Sequence, residues 1–153
     1  MKPKTYTLEQ ARKLLENYCV YQERSHFQVE KKLREMRMIP EAIDSIVLHL
    51  IQEGFLNEER FARAYVRGKF YYKDWGKNKI RQGLKKHLIH LSLIENALGE
   101  INPDDYNKTI KKIIDKKKQE YSKIKSYQLR QKILAYLYQK GYSPEDVIPL
   151  LNI

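Results

Sequence analysis

VEKKLREMRMIPEAIDSI, residues 29–46, decides the fold, because its frame of apolar positions returns twice further along the chain. Val29 and Leu33 lie four residues apart, and Ile43 and Ile46 lie three apart after Pro40, each close to one helical turn. This is the period of two amphipathic helices with a short break between them. Shifted by 51 residues, these four positions become Ile80, Leu84, Ile94 and Ala97; a further 53 gives Ile133, Leu137, Val147 and Leu150. The ten-residue step from the second-helix Leu to the third-helix Val or Ile is kept each time. Pro40 reappears as Pro144, each followed by Glu.

Working outward from the first copy, Ala11, Leu14, Leu15 and Tyr18 form the face of a preceding helix. Ser25 is placed to cap the second helix and Pro40 to start the third, whose apolar side holds Ile43, Ile46, Val47 and Leu50 before Gly54 ends it. The shift of 51 also carries Ala11, Leu14 and Leu15 onto Ala62, Tyr65 and Val66. No strand-like alternation or Asn-Gly hairpin turn competes. The expectation is an all-α protein of three tandem three-helix, helix-turn-helix-like units, residues 1–53, 54–102 and 103–153, packed on one another in an elongated, curved array.

The 153 residues carry 30 Lys and Arg against 19 Asp and Glu, a formal net charge of +11. The first unit holds nine basic and eight acidic side chains, the second ten and five, and the third eleven and six. A positive field confined to the last two-thirds of the chain favours polyanionic partners. The one cysteine, Cys19, falls in an apolar helical pattern and is expected to be a buried thiol in a reducing compartment. The opening residues lack the apolar run of a signal peptide. IVLHLI (46–51) is too short to span a bilayer. A cytoplasmic protein with no membrane role is expected.

The charge concentrates in RGKFYYKDWGKNKIRQGLKK, residues 67–86, where eight basic residues and four aromatics stand against one acid, Asp74. At 100° per residue, Phe61, Ala62, Tyr65, Val66 and Tyr72 share a core face, and Arg60, Arg63, Arg67 and Tyr71 lie opposite. In the next helix Ile80, Leu84, His87 and Leu88 face inward, Lys79, Gln82 and Lys86 outward, with Trp75-Gly76 as the turn. Solvated helix faces mix signs, so ten basic residues and one acid between 60 and 86 point to a binding face. In the third unit Ile110, Ile113, Ile114 and Tyr121 form an inner stripe and leave Lys108, Lys111, Lys112, Lys116 and Lys118 outside. The candidate binding residues are Arg60, Arg63, Arg67, Tyr71, Lys73, Trp75, Lys77, Lys79, Arg81, Lys86, Lys111 and Lys112. Tyr71 and Trp75 are the candidates for stacking or anchoring. The Arg row suits bidentate contacts to phosphate or carboxylate, and the Lys face looser attraction.

No Gly-rich phosphate loop is present. His87 and His90 have no second pair of ligands nearby. Glu58-Glu59 and Asp104-Asp105 fit helix first turns rather than acid–base chemistry. No metal, no cofactor and no enzymatic activity are expected.

The stretches RSHFQVEKKLREM (24–36), EGFLNEERFARAYV (53–66) and DWGKNKIRQGLKKHLI (74–89), in that order, resemble the RecX family of regulatory proteins. In that family an E-x-G-x-[LI]-[ND]-[DE] junction leads into a helix carrying [FY]-A-x-x-[FYWV]. Glu53, Gly54, Leu56, Asn57, Glu58, Phe61, Ala62 and Tyr65 occupy those places. Gly76, Ile80 and Leu84 match the second unit, and Arg24, Ser25 and Leu33 the first. Many members end the second helix of a unit with Lys-Gly, which only Lys140-Gly141 keeps here; the others read Met36-Arg37-Met38 and Lys86-His87-Leu88. The resemblance spans residues 8–100, and the third unit fits by periodicity. It implies a protein that binds the RecA–DNA filament along its groove and inhibits filament growth, strand exchange and coupled ATP hydrolysis; a monomer is expected. Single- or double-stranded DNA would be a partner. Two readings stand beside it: a general basic DNA-binding module that needs no recombinase, and a helical scaffold whose charge serves solubility.

Overall fold

The computed structural model describes residues 4–153. Residues 1–3, which open the expected first unit and the stretch read for a leader, lie outside the described residues. Every regular element among the described residues is helical: α1 (Leu8–Tyr21), α2 (His26–Glu35), α3 (Pro40–Gln52), α4 (Glu58–Arg67), α5 (Lys77–Lys86), α6 (Leu91–Leu98), α7 (Pro103–Glu120), α8 (Ser126–Lys140) and a last turn, α9 (Pro144–Val147). Local chemistry sets the starts. Thr7 and Ser25 form capping boxes with Gln10 and Gln28, Asn57 and Asn102 cap α4 and α7, and Pro stands in the first turn of α3, α7 and α9.

The repeat extends to the backbone at the end of each unit's second helix. Met38, Ile89 and Tyr142 donate their amides to the carbonyls of Leu33, Leu84 and Leu137, while Arg37, Leu88 and Gly141 donate to Arg34, Lys85 and Tyr138. Each pair is a Schellman closure, which needs a left-handed residue at its centre. Only the third unit puts glycine there; Arg37 and Leu88 adopt φ of 61° and 59° despite their side chains. The missing Lys-Gly pairs therefore leave the turn geometry unchanged. The turn also corrects the inward placing of Leu88, which is 72% exposed beyond the end of α5. Left-handed backbone costs a side-chain-bearing residue about 1–2 kcal/mol, partly offset by glycine's greater freedom when unfolded. Leu88→Gly is expected to raise stability by about 1 kcal/mol in urea unfolding; a loss of stability would show that Leu88 packs in a way its exposure hides.

Two further placements differ from the helical projection. Gly68–Tyr72 continues α4 as a π-helical segment, whose wider turn carries side chains off the 3.6-residue register. Phe70 is thereby buried and Tyr72, expected in the core, is 86% exposed. Leu14 is likewise exposed, and α1 packs through Ala11, Leu15 and Cys19 instead.

The cores divide unequally. Ala11, Leu15, Cys19, Val29, Leu33, Ile43, Ile46 and Leu50 enclose one core of α1–α3, closed by Leu56. A second, continuous core runs from Phe61 through Ile80, Ile94, Ile110 and Ile133 to Leu151, so α4–α9 are one packed body. Burial pushes the Cys19 thiol up to about 11, as fits an inert core cysteine. The exposed surface is 10210 Å2, about a quarter above the roughly 8,200 Å2 of a compact monomer of this mass. The array is accordingly drawn out. No helix among the described residues is long and apolar enough to cross a membrane.

Candidate polyanion-binding face

The arginines singled out by sequence are largely engaged within the protein. Arg60, expected to project freely from α4, binds Glu23 of the first unit through Nε (2.7 Å) and donates to the Gly54 carbonyl (2.9 Å). Arg63 lies between Glu59 (2.6 Å) and Glu100 (2.9 Å). Arg81 makes a bidentate pair with Glu95 (2.6 and 3.2 Å) and donates to Asn78 (2.6 Å). The Arg81–Glu95 hydrogen bond holds the Glu95 carboxyl below the usual carboxylate range. Such exposed pairs each add at most about 1 kcal/mol of stability. They do occupy the planar forks that were to meet an anion. Glu23, Glu95 and Glu100 are distant in sequence from their partners, so helical projection of one segment could not reveal the pairing.

The rings are occupied too. Tyr71 donates its hydroxyl to Asp105 Oδ2 (2.9 Å), which pushes the phenol up from its ordinary value. Trp75 packs on the shared core, and Lys69 and Lys79 hold their ammonium groups 4.7 and 4.3 Å from its ring centre. It organises two lysines rather than standing free as a stacking plate.

Arg67, Lys73, Lys77, Lys79, Lys86 and Lys111 make no ion pair with the described residues. Lys77 lies 4.9 Å over the Tyr106 ring, and Arg67, Lys73, Lys86 and Lys111 are exposed. Lysines gather where the second unit meets the third. There Lys112, Lys116, Lys117 and Lys140 line an open cleft of about 330 Å3 around Asp74. Lys112 pairs with Asp74 (3.0 Å), and Lys140 donates to the Lys73 carbonyl (3.2 Å). Lys117 pairs with Glu120 and lies over Tyr136. Lys140 was absent from the candidates because 67 residues separate it from the group it meets; Lys116 was already legible on the outer face of its helix.

A tight joint builds this cleft. Gly76 donates its amide to the Lys140 carbonyl (2.8 Å), Asn78 to the Gly141 carbonyl (2.9 Å), and Tyr142 its hydroxyl to the Asp74 carbonyl (2.8 Å). Burial pushes the Tyr142 phenol up. Asp74 itself takes the left-handed conformation, φ 57°, that turns the chain from the π segment into α5.

The joint between the first and second units is polar and aromatic. Ser25 Oγ lies 2.8 Å from His87 Nδ1, and the imidazole sits among Phe27, Phe61 and Tyr65. Burial, with Lys69 nearby, holds His87 below its ordinary pKa. His90 instead caps α6. Among the described residues no three His, Cys, Asp or Glu side chains converge as metal ligands would.

Comparison with known proteins gives a consistent result. The family model described as the second three-helix domain of RecX matches residues 57–98, and that of the third matches 104–148, together more than half of the chain. Regulatory protein RecX of Bacillus mycoides (strain KBAB4) is 29% identical over 134 residues, covering 88% of this chain and 49% of the relative. Regulatory protein RecX of Lactobacillus johnsonii is 25% identical over 135 residues, covering 88% and 50%. The chain thus spans about half the length of the curated relatives it matches. The crystal structure of RecX from Lactobacillus salivarius superposes with a TM-score of 0.85 at 26% identity, over 94% of this chain and 93% of that one. A second crystal structure, of a regulatory protein RecX, gives the same TM-score over 94% of this chain and 70% of its own.

Proposed function

The chain belongs to the RecX family of regulatory proteins, and from that premise we propose that it binds the filament a RecA recombinase forms on DNA and inhibits filament extension, ATP hydrolysis and strand exchange. It would act in the cytoplasm, as a monomer and without a cofactor, lying as a wedge along the filament groove to block subunit addition and strand movement. The observation that carries this reading is the lysine cluster at the joint of the second and third units, where four lysines line one cleft and Lys112 alone pairs with its acid, Asp74. A drawn-out helical array with such a patch suits a long groove whose DNA supplies negative charge. Phosphate contacts of this kind give affinity without reading sequence. The relatives are named regulatory proteins, which accords with action by binding.

The deciding experiment is DNA-stimulated ATP hydrolysis by the cognate recombinase, titrated with this protein while single-stranded DNA is in large excess. Loss of hydrolysis at amounts well below the recombinase is the expected result, since too little protein is then present to hide the DNA. An effect only when the DNA is nearly coated would replace this reading with the general DNA-binding module.

A further inference from the structure

We propose that the seam between the first and second units is a track for a single nucleic-acid strand, adjoining the lysine cluster at the next joint. The proposal takes its partner from the functional reading above and its place from the seam itself. Two open clefts, of about 560 and 370 Å3, lie along this seam, and Gln28 and His87 line both. At one end stand Lys31 and Lys32 of α2; at the other, Lys69 and Lys73 of the π segment and its end. None of the four makes an ion pair with the described residues.

Rings alternate with these cations. Tyr18 and Phe27 line the smaller cleft and Tyr65 and Tyr72 the larger. Lys32 lies 5.9 Å from the Tyr18 ring centre, over which the Arg24 guanidinium already sits at 3.7 Å, and Lys69 lies 5.4 Å from that of Tyr65, which packs edge-on to His87. Ammonium groups beside flat apolar faces are what a single strand requires, phosphates on the first and unstacked bases on the second. The π segment is what supplies the outermost ring. On a regular helix Tyr72 would have turned toward the core, whereas here it stands at the lip of the cleft with no internal partner for its hydroxyl among the described residues. Of the two acids that line the seam, Glu23 is held by Arg60 across the joint, which leaves Glu35 against four lysines. An acidic polypeptide would satisfy the lysines but leave the exposed Tyr72 ring unused, so that ring favours the nucleic acid. Lys73 also offers its carbonyl to Lys140, which makes the seam continuous with the lysine cluster.

The test is fluorescence anisotropy of a labelled oligothymidylate of about 15 nucleotides, long enough for one such track, without any recombinase. Wild type is expected to bind with a clear salt dependence. Lys31→Gln/Lys32→Gln should bind about tenfold more weakly, and its slope of log affinity against log salt should be shallower by about 1.4, the value for two lost phosphate contacts on a single strand. Tyr72→Ala should also bind about tenfold more weakly, with the slope unchanged, as for one lost stack. Failure of wild type to bind, or binding by both variants as tight as wild type, overturns the proposal. So does the third pattern: competition by polyglutamate at matched charge with no effect of Tyr72→Ala, which would assign the seam to an acidic polypeptide. Recombinase inhibition is read separately, so a variant that loses the oligonucleotide yet still inhibits leaves the seam standing and places the inhibitory face elsewhere.

Discussion

Gly141→Ala is expected to destabilise the protein by about 3 kcal/mol, the largest loss foreseen for removing no interaction at all. Two costs combine. Gly141 holds φ at 103°, where a side chain is strained, and an added Cβ would come within 2.5 Å of the Lys79 amide and 2.8 Å of the Gly76 carbonyl. Neither is the tip of a flexible side chain; both are backbone at the joint that carries the Lys140, Gly141 and Tyr142 hydrogen bonds. Gly76→Ala isolates the second cost. Its φ of −77° suits any residue, yet its Cβ would collide with the Gly141 carbonyl group, so a loss of about 2 kcal/mol is expected. Gly68 is the control: it is helical, with open space where a Cβ would go, and alanine there should gain up to about 1 kcal/mol. The lone tryptophan, Trp75, packs on the core shared by the second and third units, so its fluorescence during urea unfolding reports the body that both substitutions strain. Unchanged midpoints for both Gly76→Ala and Gly141→Ala would mean that the two units do not meet through this pair of glycines.

The comparison with Leu88 shows what the sequence could and could not carry. Apolar periodicity placed Leu33, Leu84 and Leu137 in register, and all three are fully buried. It also lined up Arg37, Leu88 and Gly141 as the residues four further on, without saying that all three would be left-handed. Glycine is required at Gly141, because the second unit's backbone presses on that residue, whereas Arg37 and Leu88 are exposed. Such a requirement arises from contacts 65 residues apart, as between Gly76 and Gly141, and no local pattern records it. The same limit governs the binding face. Helical projection separated Ile110, Ile113 and Ile114 from the outer lysines of α7 correctly, since that helix is regular. It failed at Tyr72, where one π turn rotates everything after Gly68. It also treated Arg60, Arg63 and Arg81 as free, because charge alone does not show that Glu23, Glu100 and Glu95 fold back against them. Three of the ten basic residues in 60–86 are thus neutralised by folded-back acids, and the unpaired excess continues into the following joint.

Reversing Lys73, Lys111 and Lys116 to Glu together is expected to raise the concentration needed to inhibit the recombinase about a hundredfold, with little change in unfolding midpoint. The choice follows from the ion pairs. Reversing Arg60, Arg63 and Arg67 is the obvious experiment from sequence, but Arg60 links the first unit to the second and Arg63 holds Glu59 and Glu100. Replacing either with Glu sets acids against acids, so lost inhibition would report a disturbed joint as readily as a lost contact. Lys73, Lys111 and Lys116 are exposed and have no ion-pair partner among the described residues, while Lys112 is left in place because it neutralises Asp74. A partner bound through phosphates should respond to the change of six charges in proportion to salt, with the defect growing as ionic strength is lowered and the wild-type contacts strengthen. Inhibition that stays at the wild-type level in a folded triple variant would remove this face from the mechanism. Inhibition lost equally at all salt concentrations would instead mean that the lysines touch recombinase protein at close range, where burial shields a pair from the ions that screen an exposed one.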